Sequence, residues 1–183
     1  SSSYNYRDVI NQSKYPYYAS NKDKTLSVPF TAEETLLVKA EAEIIQKQYD
    51  AAVADLNTWT SAYLNTTKKT FTKEDIIAFY KALEYNSEAT PTMKKKLHPA
   101  FTLDGGEDQE MLLHHLLQCR RVATVHEGLR WFDIRRYGIE VYRFVHDTKD
   151  RAKVTVAKTL SSWDEHTTFQ IPQNVRNAGL EPT

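Results

Sequence analysis

The chain has 183 residues, 40% hydrophobic and 26% charged, with Lys+Arg and Asp+Glu both at 24, the balance of a globular domain with a sizeable core. Equal charge leaves no basic excess to hold nucleic acid or a membrane surface, and no acidic tail. One cysteine, Cys119, excludes an internal disulfide and a thiolate-rich metal site, and no apolar run is long enough to span a bilayer.

Residues 1–30 are polar and aromatic, with Tyr4, Tyr6, Tyr15, Tyr17 and Tyr18 among Ser, Asn and Lys. Without a sustained helical period they read as an extended, aromatic-rich segment, and residues 31–183 as a separate helical region. Tyr15, Tyr17 and Tyr18 flank Pro16, which stiffens the chain. Phenol rings stack on the apolar C–H faces of sugars while the hydroxyl stays wet, so these tyrosines are ligand-binding candidates. Their alternative role is to anchor an extended strand.

Helical signals begin sharply at Thr31, where Glu34 completes a capping box and Phe30 takes the staple position. Leu37, Ala40 and Ile44 recur at helical spacing. Ala52, Leu56, Trp59 and Tyr63 do so after a turn at about Gln48 to Asp50. The pair reads as a helical hairpin of tetratricopeptide type, which cannot bury its face alone. A third helix is expected from Lys73 to Tyr85, capped by Thr72 and carrying Ile76, Phe79, Tyr80 and Leu83.

Pro91, Pro99 and Gly105-Gly106 then break the chain into loops. A long helix follows from Glu107 to about Val125, with Leu112, Leu116, Cys119 and Ala123 on one stripe. The segment from Glu127 to Gly138 continues it across a kink at Gly128, with Glu127, Arg130, Asp133 and Arg136 three apart as alternating ion pairs. Trp131 lies among its apolar positions, and Gly138 suits a left-handed C-terminal cap. From Ala152 to Lys158 alternation predicts a strand, paired with Thr168 to Ile171 as a small peripheral β-hairpin. Trp163, beside Ser161, Ser162 and Asp164, is a further exposed aromatic candidate. The fold class expected is all-α, built on tetratricopeptide-like helical hairpins, with that hairpin at its edge.

Catalytic and metal motifs fail on inspection. His126-Glu127 opens a zinc-protease pattern, but Arg130 stands where the second histidine belongs. His114 and His115 are adjacent, so on a helix they point roughly 100° apart and do not share an ion. Cys119 sits on an apolar stripe, where a thiol is inert. Asp104 to Asp108 lacks the alternation and closing glutamate of a calcium loop. No nucleotide-binding or nucleophile-elbow motif is present, so no catalytic residue, metal or cofactor is expected.

The string Glu127-Gly128-Leu129-Arg130-Trp131-Phe132-Asp133-Ile134-Arg135-Arg136-Tyr137-Gly138 resembles the closing signature of the SusD/RagB family, surface nutrient-binding lipoproteins of Bacteroidetes. Phe169-Gln170-Ile171-Pro172-Gln173-Asn174 is similar to the family's C-terminal Ile-Pro motif, and Glu33 to Ala42 to its Ala-Glu-Ala-bearing helix. The chain departs from the pattern at Ala123 and Val175, where the family carries glutamate, and in its last eight residues, Arg176 to Thr183.

The resemblance implies a non-enzymatic protein that binds an oligosaccharide at the outer face of the outer membrane and delivers it to a SusC-like TonB-dependent transporter. It also implies a lipidated cysteine at the far N-terminus, so this chain is expected to be the C-terminal portion of a longer protein, with a naturally short variant as the alternative. Glu127, Arg130, Trp131, Asp133 and Arg136 are expected to be structural, fastening the last helix; the alternative is that Arg130 or Arg135 offers its guanidinium fork to an acidic sugar or a peptide carboxylate. Two alternatives are a peptide cargo and an unrelated helical-repeat adaptor for a protein partner.

Overall fold

The computed structural model describes residues 31–63, 70–104, 107–125, 127–149, 154–168 and 171–179. Apart from Thr31 and Ala32 these fall in one unit, Glu33–Thr183. They are mostly helical: α1 (Ala32–Ile45), α2 (Tyr49–Tyr63), α3 (Lys73–Ala82), α4 (Asp108–Ala123), α5 (Arg130–Arg136) and α6 (Gln173–Arg176), with β1 (Val141–His146), β2 (Val154–Leu160) and a 3-10 turn at Glu165–Thr167.

Helix α4 is the centre, because its sequence is apolar nearly all round: Met111, Leu112, Leu113, Leu116, Leu117, Cys119 and Ala123 are all buried. It packs against α2, α3 and α5. Leu37, Ala40 and Ile44 of α1 and Ala52, Leu56 and Trp59 of α2 join the same core, each fully buried leucine contributing about 2 kcal/mol. Tyr63 is the member of the α2 stripe that fails. It is 40% exposed and stacks on Trp59 with ring centroids 4.8 Å apart, because the helix ends there.

Helices α1 and α2 are joined by a turn at Gln46–Gln48 in which Lys47 takes a positive φ of 61°. Lys39 Nζ crosses to Asp55 at 2.6 Å. The last carbonyls of α1 are capped from a distance: Gln109 Nε2 donates to Ile44 O at 3.1 Å and Ile45 O at 3.3 Å. Helix α3 starts with a complete capping box between Thr72 and Asp75. It stops at Ala82, before the expected Tyr85, since Leu83 turns extended. Tyr85 is then free to give its hydroxyl to Glu110 of α4 at 2.7 Å.

Two further expectations are corrected. The strand over Val154–Leu160 pairs antiparallel with Val141–His146, upstream, in a two-stranded sheet. Thr168 ends the 3-10 turn that Asp164 caps through the His166 N–H, which removes it from any strand, while Phe169 and Gln170 lie outside the described residues. Val141-Tyr142-Arg143-Phe144-Val145 is rich in β-branched and aromatic residues. It supplies the ladder instead, with an irregularity between Arg143 and Phe144. Neither strand contains a buried residue, so the sheet is peripheral.

The Glu127–Arg136 charge ladder is not one helix face. Helix α4 ends at Ala123, Gly128 has φ 77°, and α5 begins at Arg130, so Glu127 stands outside the helix that carries the other three charges. Among the described residues no helix is long and apolar enough to cross a membrane.

Candidate functional site

Glu41 lies on the buried stripe of α1 between Ala40 and Ile44. A carboxylate there requires cations or donors, and they come from two other helices. Arg120 of α4 donates through Nη2, Arg136 at the end of α5 donates through Nε at 2.7 Å, and the buried Tyr137 donates its hydroxyl. Asp133, also buried, takes Arg120 Nη1 and Arg130 Nη1, both at 3.4 Å. Arg120 therefore bridges the two carboxylates, and Arg136 is turned to α1, away from its own helix neighbour Asp133.

The two acids respond differently. Burial pushes the Glu41 carboxyl up, but the charge of Arg120 and hydrogen bonds from Tyr137, Arg136 and Arg120 outweigh it and hold it below the ordinary value. For Asp133 burial wins over Arg120 and Arg130, and Glu41 nearby adds to the upward shift. Burial first, then the Glu41 charge, raises the Tyr137 phenol well above the usual range, so it remains a donor.

Beyond this network the surface opens into a groove of about 470 Å³ whose rim and walls include Glu34, Val38, Thr124, Leu129, Phe132 and Arg136. Val38 is 57% and Phe132 66% exposed. An exposed phenyl beside guanidinium, hydroxyl and carboxylate groups suits a ligand with both an apolar face and hydroxyls.

The end of α5 is fixed by a Schellman motif: Ile139 N–H reaches Ile134 O at 3.0 Å and Gly138 N–H reaches Arg135 O at 3.5 Å, with Gly138 at φ 53°. Close packing adds a second demand for glycine, since a Cβ at 138 would lie 2.5 Å from His98 O and 2.8 Å from Trp163 Nε1. His98 N–H donates to Tyr137 O at 2.7 Å, and Trp163 Nε1 donates to His98 O at 2.8 Å.

Trp163 is thus 53% exposed with its polar end committed and only its ring available. It is not among the residues lining the groove. Trp131 is half-buried. Tyr15, Tyr17, Tyr18 and His126 lie outside the described residues. The buried Cys119 thiol is pushed by burial to about 12 and His115 down to about 4, as expected of groups inside an apolar core, and the described residues contain no group of three or more metal-ligating side chains placed to hold an ion.

Glu41, Arg120 and Phe132 belong to no site motif in the sequence. Glu41 left a usable signal, a charge inside the Leu37–Ala40–Ile44 stripe. Phe132 left none, because its exposure depends on what α5 packs against. Compared with protein-family models, with curated proteins and with solved structures, the chain matches none.

Proposed function

We propose that the protein is a non-enzymatic binding protein of the SusD/RagB type, built on tetratricopeptide-like helical hairpins. It captures an oligosaccharide at the outer face of the outer membrane and passes it to a SusC-like TonB-dependent transporter. The observation that carries the ligand reading is Phe132, 66% exposed over a groove of about 470 Å³ with charged and hydroxyl-bearing walls. The α1–α2 hairpin and the motif residues from Glu127 to Gly138 support the family reading. Capture rests on stacking of sugar faces on aromatic rings with hydrogen bonds to hydroxyls, and no bond is made or broken. Trp163, Tyr15, Tyr17 and Tyr18 offer the same chemistry elsewhere on the chain.

Binding of a glycan panel and a peptide panel, with Phe132→Ala beside the wild type, tests this. Saturable glycan binding weakened roughly three- to tenfold by the substitution is expected, the worth of one aromatic contact. Binding of peptides alone would transfer the reading to a peptide cargo, and binding of neither would remove it.

A further inference from the structure

Lys95, Arg121 and Arg130 line a second, narrow recess together with Gln118, Met93 and Leu117, none of which lines the groove. The buried His114 also lines it, with its Nε2 engaged with Glu110 Oε1 at 3.3 Å. Arg130 Nη1 lies 3.4 Å from Asp133, and that carboxylate is shared with Arg120. Lys95 Nζ donates to Thr92 O at 2.6 Å. The Arg121 and Gln118 side chains make no hydrogen bond or ion pair among the described residues.

Three like charges brought to one recess repel, and burial together with the guanidinium groups of Arg121 and Arg130 brings Lys95 down to about 8. Such an arrangement lowers stability, which is what an anion site does when its ligand is away. The donors are an ammonium, two guanidinium forks and a carboxamide, a set made for a planar or tetrahedral oxyanion. The enclosed volume of about 10 Å³ is that of one water-sized atom, so a single anionic oxygen reaches in among the donors while the rest of the oxyanion group and its molecule stay at the mouth.

From this geometry we infer that Lys95, Arg121 and Arg130, with Gln118, form a subsite for the oxyanion group of an acidic ligand, a carboxylate or a sulfate ester. The inference rests on the glycan reading only for what carries the anion, which would then be a uronic or sulfated sugar. The recess itself is tested without any glycan.

The test is calorimetric or NMR titration with sodium sulfate and with glucuronate at constant ionic strength, using glucose as the neutral control. The exposed Arg121 is replaced in Arg121→Gln and Arg121→Lys, and Lys95→Met is a second probe. Saturable binding of both anions is expected, weakened at least about fivefold in Arg121→Gln and Lys95→Met and partly kept in Arg121→Lys, with no response to glucose at these residues. Absence of saturable anion binding, or equal affinity in wild type and Arg121→Gln, overturns the subsite. Anion binding with a silent glycan panel removes the glycan reading and leaves the subsite standing; neutral-glycan binding without anion binding does the reverse.

Discussion

Tyr137 donates its hydroxyl to Glu41, 96 positions earlier in the chain, and both groups are buried. The bond joins the C-terminal end of α5 to the inner face of α1. Arg120 and Arg136 on the same carboxylate make Glu41 the common partner of three side chains from two regions of the chain.

Replacing Glu41 by Gln sets a carboxamide against the Arg120 and Arg136 guanidinium groups, removing the charge that Arg136 pairs with and leaving Arg120 only Asp133. Breaking a buried pair from one side costs about 3–5 kcal/mol, so the urea midpoint of Glu41→Gln should fall steeply, while Tyr137→Phe, which loses one hydrogen bond, should cost about 1–2 kcal/mol. Equal midpoints for Glu41→Gln and wild type would show that the network adds nothing to stability.

The two acids of the network predict opposite pH behaviour. Glu41 is depressed below 4.5, so its contribution is fully present above that value and is lost as pH falls through the lower folded value. Asp133 is raised above 3.8, so its charged form carries a penalty at neutral pH that eases as pH falls through its folded value. At pH 7 Asp133→Asn should therefore destabilise less than Glu41→Gln, and Glu41→Gln should flatten the acid limb of a stability-against-pH curve. The same steepness in both proteins would contradict the assignment.

Gly138→Ala meets two obstacles. Its φ of 53° disfavours any side chain by about 1 kcal/mol, and the new methyl would press on His98 O, a backbone atom 2.5 Å away. A loss of more than about 2 kcal/mol is expected. Gly128→Ala, where the space around φ 77° is open, should show the conformational cost alone, so thermal melts of the pair separate strain from clash.

Thr72→Ala removes one arm of the reciprocal cap with Asp75 and should cost about 1 kcal/mol. Because Thr72 is exposed, no cavity accompanies the change. Amide exchange should quicken through the first turn of α3 and stay unchanged in α4; uniform quickening would mean that the cap supports the whole fold.

Much of the helical architecture is legible in the sequence. The Leu37–Ala40–Ile44 and Leu112–Leu116–Cys119–Ala123 stripes are local patterns, and the periods that place them on one face also bury them. The capping role of Thr72 and the left-handed turn at Gly138 were legible for the same reason, since caps and turns are decided by a few neighbouring residues. The β-ladder was only half legible: alternation located Val154–Leu160, but nothing local says whether a strand's partner lies before or after it.

What the sequence by itself determined is the presence of α1 to α4 and the residues of their inner faces. The tertiary structure alone decided which charges meet. Arg136 has Asp133 one turn away yet pairs with Glu41, because burying the α1 stripe against α4 and α5 brings a desolvated carboxylate to the end of α5. It likewise gathered Lys95, Arg121 and Arg130, residues from a loop, a helix and the start of another, into one recess. Interactions at three and four residues follow from helix geometry, whereas those at longer separation depend on the path of the intervening chain, and that path is set by the packing of the whole core.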